Sequence, residues 1–351
     1  MTFFSAIAAS HPDRPRVVHL VDDTTAGGVM RYLEFLRSDA TLAAEAEHVL
    51  LPVARGAVGR LSLPAGIIVS HLSINWRALP GLIALRARHP SARLIHVEHS
   101  YTASFAALNV PSRARFFTLL RSAYALFDKV VAVSAAQGDW LRTRRLVPWE
   151  RLAVIRPVVD LSAFAALPAP RGQGRVIGAF GRLDRQKGFD TLISAFRAVP
   201  DADKALHIYG AGGDLAALQV QAGGDARIRF LGHVADPARA MAEVDVVAMP
   251  SRWEAYGIAA LEARVAGRPL ITSGADGLRD HAGAGVTQVS PAALTELTEA
   301  LCGGHAPGLP ASSRQVLAAG SEHAVRRGWS ELLGLAAPDA GTAPEEVAAL
   351  A

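Results

Sequence analysis

The chain has 351 residues, half of them hydrophobic and 19% charged, with a net charge of +4 and one cysteine, Cys302. That length is enough for two domains of ordinary size, and that composition excludes a disordered chain. A lone cysteine excludes an internal disulfide framework, no apolar run reaches the roughly 18 residues of a bilayer span, and a reducing cytoplasm is the simplest expected home.

The opening stretch from Met1 to Ser10 is apolar but lacks a basic region, so it is not read as a signal peptide. Short β-rich apolar runs then alternate with helix-length segments. The first series of predicted strands is Val17–Val21, His48–Val53, Ile67–Ser70, Leu94–Val97, Lys129–Val133 and Ala153–Ile155, with a helix expected over Val29–Arg37. A Pro/Ala-rich break, Leu167-Pro-Ala-Pro-Arg-Gly172, separates it from a second series. That series is Val176–Phe180, Ala205–Tyr209, Ile228–Leu231, Asp245–Met249, Pro269–Thr272 and Val286–Val289, with helices expected over Thr191–Arg197 and Ile258–Val265. The Ala/Pro-rich end after Leu335 is expected to be loosely ordered. Strand–helix alternation predicts parallel sheets with right-handed crossovers, and two series predict two doubly wound domains. Ligands of such sheets bind beyond the carboxyl ends of the strands, so the cleft between two domains is the expected site.

Charge is uneven: residues 1–157 carry a net +8 and residues 158–351 a net −4. Much of the excess lies in Arg113, Arg115, Arg121, Lys129, Arg142, Arg144 and Arg145. A basic half attracts an acidic surface, anionic lipid or nucleic acid. The alternative is an ordinary solvated surface.

Three loops of the second series carry candidate chemistry. Phe180-Gly181-Arg182-Leu-Asp-Arg-Gln-Lys187-Gly188 offers Arg182 and Lys187 as a diphosphate clamp, with Gly181 and Gly188 letting backbone come close. Only three lysines occur in the chain, so Lys187 stands out as a compact point charge. Tyr209-Gly210-Ala-Gly212-Gly213 permits close approach to a base or phosphate, although its spacing is not a dinucleotide fingerprint. Pro250-Ser-Arg-Trp-Glu254-Ala-Tyr-Gly257-Ile258 leads into a helix that carries Glu262. Gly257 and Ile258 would then present backbone N–H groups to an anion, flanked by two carboxylates able to bind hydroxyls. Each loop alone is also what a polar turn or a solvated helix face looks like.

In this order and spacing, with Leu231-Gly232-His-Val-x-Asp236 between and Glu262-Ala followed by Gly267-x-Pro after, the segments resemble glycosyltransferase family 4. The resemblance is strong over residues 175–285 and looser elsewhere. It implies an α/β GT-B fold, two doubly wound Rossmann-like domains facing each other across a cleft. The expected parts are an acceptor-side domain over 1–157, a link over 158–172, a nucleotide-sugar domain over 173–325, and a C-terminal helix and tail over 326–351. It also implies a nucleotide-diphospho-sugar donor, transfer with retention, and no catalytic metal or further cofactor. Carried over by motif, Arg182 and Lys187 bind the donor diphosphate, Glu254 the sugar hydroxyls, Gly257 and Ile258 the phosphates, and Glu262 the ribose. The base is expected near Gly212 and the strand end at 231–233.

In the first half, Asp22-Asp23-Thr24-Thr25-Ala26-Gly27-Gly28 looks like the family's glycine loop, with Gly27 and Gly28 facing phosphate. His99, after the strand Leu94–Val97, is the best match to the family's histidine near the reacting sugar. His96 is expected to be packed, and His71 is a candidate acceptor-side group. Two departures stand out. Arg156-Pro-Val-Val-Asp160 lacks the glycine many relatives have near the link, and Gly328-Trp329-Ser-Glu-Leu-Leu333 is a faint remnant of the helix returning to the first domain. The implied partners are a nucleotide-sugar donor and a glycan or lipid-linked acceptor, with no nucleic acid. The implied place is the cytoplasm, peripheral at the inner face of an anionic membrane, in envelope or exopolysaccharide synthesis. The rival readings are a non-hydrolysing nucleotide-sugar epimerase and a catalytically silent sugar-nucleotide-binding protein.

Overall fold

The computed structural model describes residues 14–335 apart from 26, 55 and 171–173. The opening segment and the Ala/Pro-rich end therefore lie outside the described residues. The chain divides into two compact units. One takes in the described residues up to Tyr101, then Asn109–Val159 and those from His323 on; the other takes in Thr102–Leu108 and Asp160–Glu322.

The first unit is built on six parallel strands: β1 (Arg16–Val21), β2 (Glu47–Pro52), β3 (Ile67–Ser70), β4 (Arg93–Glu98), β5 (Lys129–Ala132) and β6 (Leu152–Val154), in the order β2-β1-β3-β4-β5-β6. The second has β7 (Val176–Phe180), β8 (Ala205–Tyr209), β9 (Ile228–Gly232), β10 (Val246–Met249), β11 (Leu270–Thr272) and β12 (Val286–Gln288), again parallel, in the order β12-β11-β10-β7-β8-β9. Buried parallel strands are continuous apolar runs, because helices cover both sheet faces. That is why the expected and observed strands coincide to within one residue at each end.

The strand order reverses between β1 and β3 in the first unit and between β10 and β7 in the second. Loops that leave neighbouring strands toward opposite sheet faces open a crevice at such a point, and ligands settle there. In the second unit Ile177, Ala179, Leu206, Ile208, Val246 and Ala248 of the strands pack with Phe189, Leu192 and Phe196 of helix Phe189–Arg197, all nearly inaccessible. This fixes the strand ends from which the loops project.

The last helix, Ala311–Leu333, belongs to both units. In the second unit Arg314 donates to the carbonyls of Leu167 and Ala266. In the first, Arg326 grips Asp39 at 2.7 and 2.9 Å, Ser330 donates to Glu45, and fully buried Trp329 donates through Nε1 to Tyr32 Oη at 2.7 Å. The motif that was faint in the sequence is thus a packed element of the first unit.

Candidate active site

In the second unit, β7 ends at Phe180 and the chain runs through Gly181, Arg182 and a short 3-10 turn, Arg185–Lys187, into helix Phe189–Arg197. β10, its neighbour, ends at Met249 and leads through Ser251 and Glu254 into helix Ile258–Val265. The two loops are stitched together. Arg252 N–H donates to Gln186 O at 2.7 Å, Gln186 Nε2 to Trp253 O at 3.1 Å, and Arg252 forks onto Asp190 at 2.8 and 2.6 Å. Gly188, at φ 67°, lies so close to Pro250 that a Cβ would sit 2.2 Å from its carbonyl oxygen, so only glycine fits.

This stitching brings Lys187 and Glu254 together: Nζ lies 2.5 Å from Oε2, and Ser251 Oγ is 3.4 Å from the same oxygen. The sequence reading assigned the two side chains separate contacts with a donor; the structure joins them in one largely buried ion pair. Arg182 is not brought to that pair. Its side chain is 68% exposed, with Nε 3.3 Å from Asp184 and NH2 3.2 Å from Gln186. Gly181 lies beneath the stem of Lys187, and Gly212 packs against the backbone of Leu183, where a Cβ would meet the carbonyl oxygen at 2.2 Å. Both glycines pack closely against their own unit.

Gly257 is the N-cap of helix Ile258–Val265, at φ 90°. That left-handed value suits glycine, and a Cβ there would lie 2.7 Å from Leu278 Cδ2. No side chain caps this helix, so its first turn offers backbone N–H groups and the positive end of its dipole. Ile258 opens the helix and Glu262 follows one turn later, 4% exposed.

Beside these loops lies a device the sequence did not reveal. Asp276, buried and at φ 48°, accepts from Thr102 Oγ1 at 2.7 Å and from Ser104 N and Oγ at 3.0 Å. Gly277 N–H in turn donates to Glu254 O at 2.9 Å. The segment Thr102–Leu108 is thus held by the same loops that hold Glu254. Alternation of strands and helices carries no signal for this, because a helix that follows β4 in sequence belongs here to the other unit.

In the first unit, exposed Gly27 and Gly28 start helix Gly28–Ser38, again without a side-chain cap. His99 lies just past β4, and it does not stand alone. His48 Nδ1 lies 2.9 Å from His19 Nε2, His19 Nδ1 lies 2.9 Å from His71 Nε2, and His71 Nδ1 lies 2.8 Å from His99 Nε2. Adjacent rings stack at 5.1 to 5.2 Å. The registers explain the row. His48 pairs with Val17, and His19 lies two residues on; His19 pairs with Val69, and His71 lies two residues on. A constant step of two keeps every ring on one sheet face, since side chains alternate with period two.

Trp329 covers His19 and His48 at centroid distances of 5.7 and 6.1 Å, and Tyr32 sets its edge toward His99 at 6.3 Å. Burial pushes His48 and His99 down to about 4, with Glu98 pulling His99 the other way. Burial and then the neighbouring imidazoles hold His19 and His71 well below the ordinary histidine value. His96 is packed between Tyr124 and Phe127, off the row. Of the row, sequence reading singled out His99 and His71; His19 and His48 sit inside strands, where a histidine passes for core.

Comparison with known proteins bears on the family and the fold. The family model described as "Glycosyl transferases group 1" matches residues 174–303, and "Glycosyltransferase Family 4" matches residues 60–163. The chain is 29% identical over 238 residues to D-inositol 3-phosphate glycosyltransferase 1 of Catenulispora acidiphila, covering 59% of this chain and 55% of that one. It is 28% identical over 282 residues to D-inositol 3-phosphate glycosyltransferase of Xylanimonas cellulosilytica, covering 70% and 66%. The matches thus span about half to two thirds of these relatives' length. Among solved structures, Anabaena HepE in complex with UDP and glucose superposes with a TM-score of 0.69 at 18% identity, covering 92% of this chain and all of that one.

Proposed function

Because the chain belongs to the family 4 glycosyltransferases and has their GT-B fold, we propose that it transfers a sugar from a nucleotide-diphospho-sugar to an acceptor hydroxyl. The observation that carries this reading is the Lys187–Glu254 pair, held at the switch point of the second sheet beside an uncapped helix N-terminus. A diphosphate needs fixed positive charge and backbone donors, and a sugar needs a carboxylate acceptor; this arrangement offers both.

In this proposal Lys187 turns from Glu254 toward the diphosphate as the donor enters, and exposed Arg182 swings in from its loop. The N–H groups of Gly257 and Ile258 take a phosphate oxygen. Glu254, released from part of its pairing, accepts from sugar hydroxyls, and Glu262 accepts from the ribose. Charge developing on the leaving diphosphate is stabilised by these groups, so the chemistry proposed uses no metal and no further cofactor. No carboxylate is placed as a nucleophile; a front-face path with retention is the matching proposal. In the first unit, Gly27 and Gly28 offer backbone N–H groups for an oxyanion, and His99 receives the acceptor hydroxyl.

The acceptor proposed is a glycan or lipid-linked precursor of envelope or exopolysaccharide, met at the inner face of the cell membrane. It is supported by the side chains of Arg113, Arg115, Arg121, Arg142, Arg144 and Arg145, all exposed on the first unit. Among the described residues no helix is long and apolar enough to cross a membrane. A peripheral, electrostatic attachment is therefore the form proposed.

A thermal-shift panel of nucleoside diphosphates and their sugars tests the donor reading. HepE has been solved with UDP and with UDP-glucose, so these are the first probes. A ligand that binds the folded state raises the melting temperature, by about 2.7 kcal/mol of stabilisation at a hundredfold excess over Kd. A rise with one diphosphate family, abolished in Lys187→Ala, is the expected result. No rise with any of them overturns the reading.

A further inference from the structure

The histidine row is unlike four separate buried histidines in one respect. At all three junctions an Nδ1 meets an Nε2, never two like nitrogens. A neutral imidazole has one N–H and one acceptor nitrogen. Joined head to tail in this way, neutral rings form unbroken N–H···N bonds in only two ways: every ring carries its proton on Nε2, or every ring carries it on Nδ1. The nitrogens are turned toward one another along a line rather than converging on a point. Among the described residues no group of three or more ligating side chains is arranged to hold a metal ion.

The ends differ. His99 is partly exposed, and its Nδ1 is the nitrogen the row leaves over. At the other end His48 Nε2 is buried and has no hydrogen-bond partner among the described residues. A surface cavity of about 550 Å³ lies at that end, lined by His48 together with Arg14, Glu34, Arg37 and Glu47. Trp329 packs against His48 and His19, and Tyr32 against His99.

We propose that His99, His71, His19 and His48 form a proton relay, which takes a proton on Nδ1 of His99 and delivers one from Nε2 of His48. The relay rests on the glycosyl-transfer reading for its proton source, the acceptor hydroxyl. As the acceptor oxygen bonds to the sugar carbon, its O–H bond breaks and the proton goes to His99 Nδ1. His99 passes its Nε2 proton to His71 Nδ1, His71 to His19, His19 to His48, and the Nε2 proton of His48, a buried nitrogen, passes to a water that must enter from the adjoining cavity. Every ring stays neutral and changes only its tautomer. The sequence runs backward when the departed diphosphate takes the Nδ1 proton of His99, which returns each ring to its first form. The net reaction is donor plus alcohol giving glycoside plus protonated diphosphate, with no charge left on the row.

The row offers what a lone buried His99 lacks. Charging one imidazole in this apolar setting is costly, whereas shifting a tautomer along four rings creates no buried charge.

The test uses the full chain with its histidines 15N-labelled, and reads ring tautomers and N–H···N couplings by NMR at pH 7. The expected result is four neutral rings with the proton on the same nitrogen in each, coupled pairwise. Mixed tautomers, or a charged ring, overturn the relay. The second arm is turnover of the donor found in the thermal-shift panel, with His48→Phe and His19→Phe. Both lie beyond reach of a substrate at His99, yet the relay requires kcat to fall at least about tenfold with KM for the donor unchanged. It also requires a multi-proton solvent isotope effect that the variants lose. Parental turnover in a folded His48→Phe chain overturns the relay. Should His19→Phe fail to fold, His48→Phe at the row's end still decides it. A uniform row in a chain that transfers no sugar overturns the functional reading, and with it the relay's proton source, while the order of the tautomers stands.

Discussion

Lys187 Nζ and Glu254 Oε2 stand 2.5 Å apart, although 67 residues separate them in the chain. The pair links the loops after β7 and β10, and both side chains are more than four-fifths buried. It is thus a structural bond that the proposed donor diphosphate would share or open.

Replacement of Lys187 by alanine is expected to act twice. It removes the charge proposed to turn toward the diphosphate, lowering kcat/KM on the order of a hundredfold or more. It also leaves Glu254 buried without its cation, costing about 1–3 kcal/mol of stability. Glu254→Gln keeps the volume, so it should lose sugar turnover while nucleoside diphosphate affinity changes little. Steady-state kinetics and calorimetric titration of the two variants separate these effects; equal loss of turnover and nucleotide affinity in Glu254→Gln removes its sugar-facing role.

Gly257→Ala should destabilise the second unit by about 1–3 kcal/mol, because alanine is strained at this left-handed N-cap. Its Cβ would also press on Leu278 Cδ2 at 2.7 Å. Equilibrium denaturation measures the cost, and an alanine variant as stable as the parent contradicts the N-cap geometry.

Trp329→Ala empties a fully buried site and breaks the bond to Tyr32 Oη. A loss of about 3–5 kcal/mol is expected from the cavity alone. Trp329→Phe retains most of the packing and isolates the hydrogen bond, with an expected loss of about 1 kcal/mol plus the desolvation of Tyr32. Chemical denaturation of both variants provides the comparison.

Stability should fall as pH drops below the ordinary histidine value of about 6.5. Burial first, and neighbouring charges second, lower the folded-state values of His19, His48, His71 and His99, while the unfolded chain keeps the ordinary value. Between the two, the unfolded state binds more protons, so acid favours unfolding. Each histidine contributes up to about 1.4 kcal/mol per pH unit in that window, ending near pH 4 for His48 and His99. Glu98 beside His99 offsets part of this, and His96 adds to it. His48→Phe should flatten the slope of melting temperature against pH; an unchanged slope refutes the account.

The strands were legible because each is a short apolar run closed by a turn-forming, polar or charged residue. Ile67–Ser70, Val176–Phe180 and Ala205–Tyr209 match their predicted bounds, as does helix Ile258–Val265. The loops that carry Lys187 and Glu254 were legible too, since their residues follow strand ends in sequence. What stayed hidden depends on pairing across the sheet. No local pattern states that His48 faces Val17 or that His19 faces Val69, and without those registers the row is four scattered histidines. The grip of Asp276 on Thr102 and Ser104 was hidden likewise, its partners lying more than 170 positions away. The last helix was faint because its two ends serve different units, so no single apolar stripe runs along its length.

The seating of Trp329 against His19 and His48 bears on the order of biosynthesis. The strands of the first unit emerge from the ribosome early, but its final buried tryptophan belongs to residues translated after Glu322. The whole of Asp160–Glu322 is made in between, which takes roughly 10 to 30 s at about 5–20 residues per second. During that interval the nascent sheet carries an uncovered row of imidazoles and an open apolar slot. The half of the protein synthesised first is therefore the half completed last.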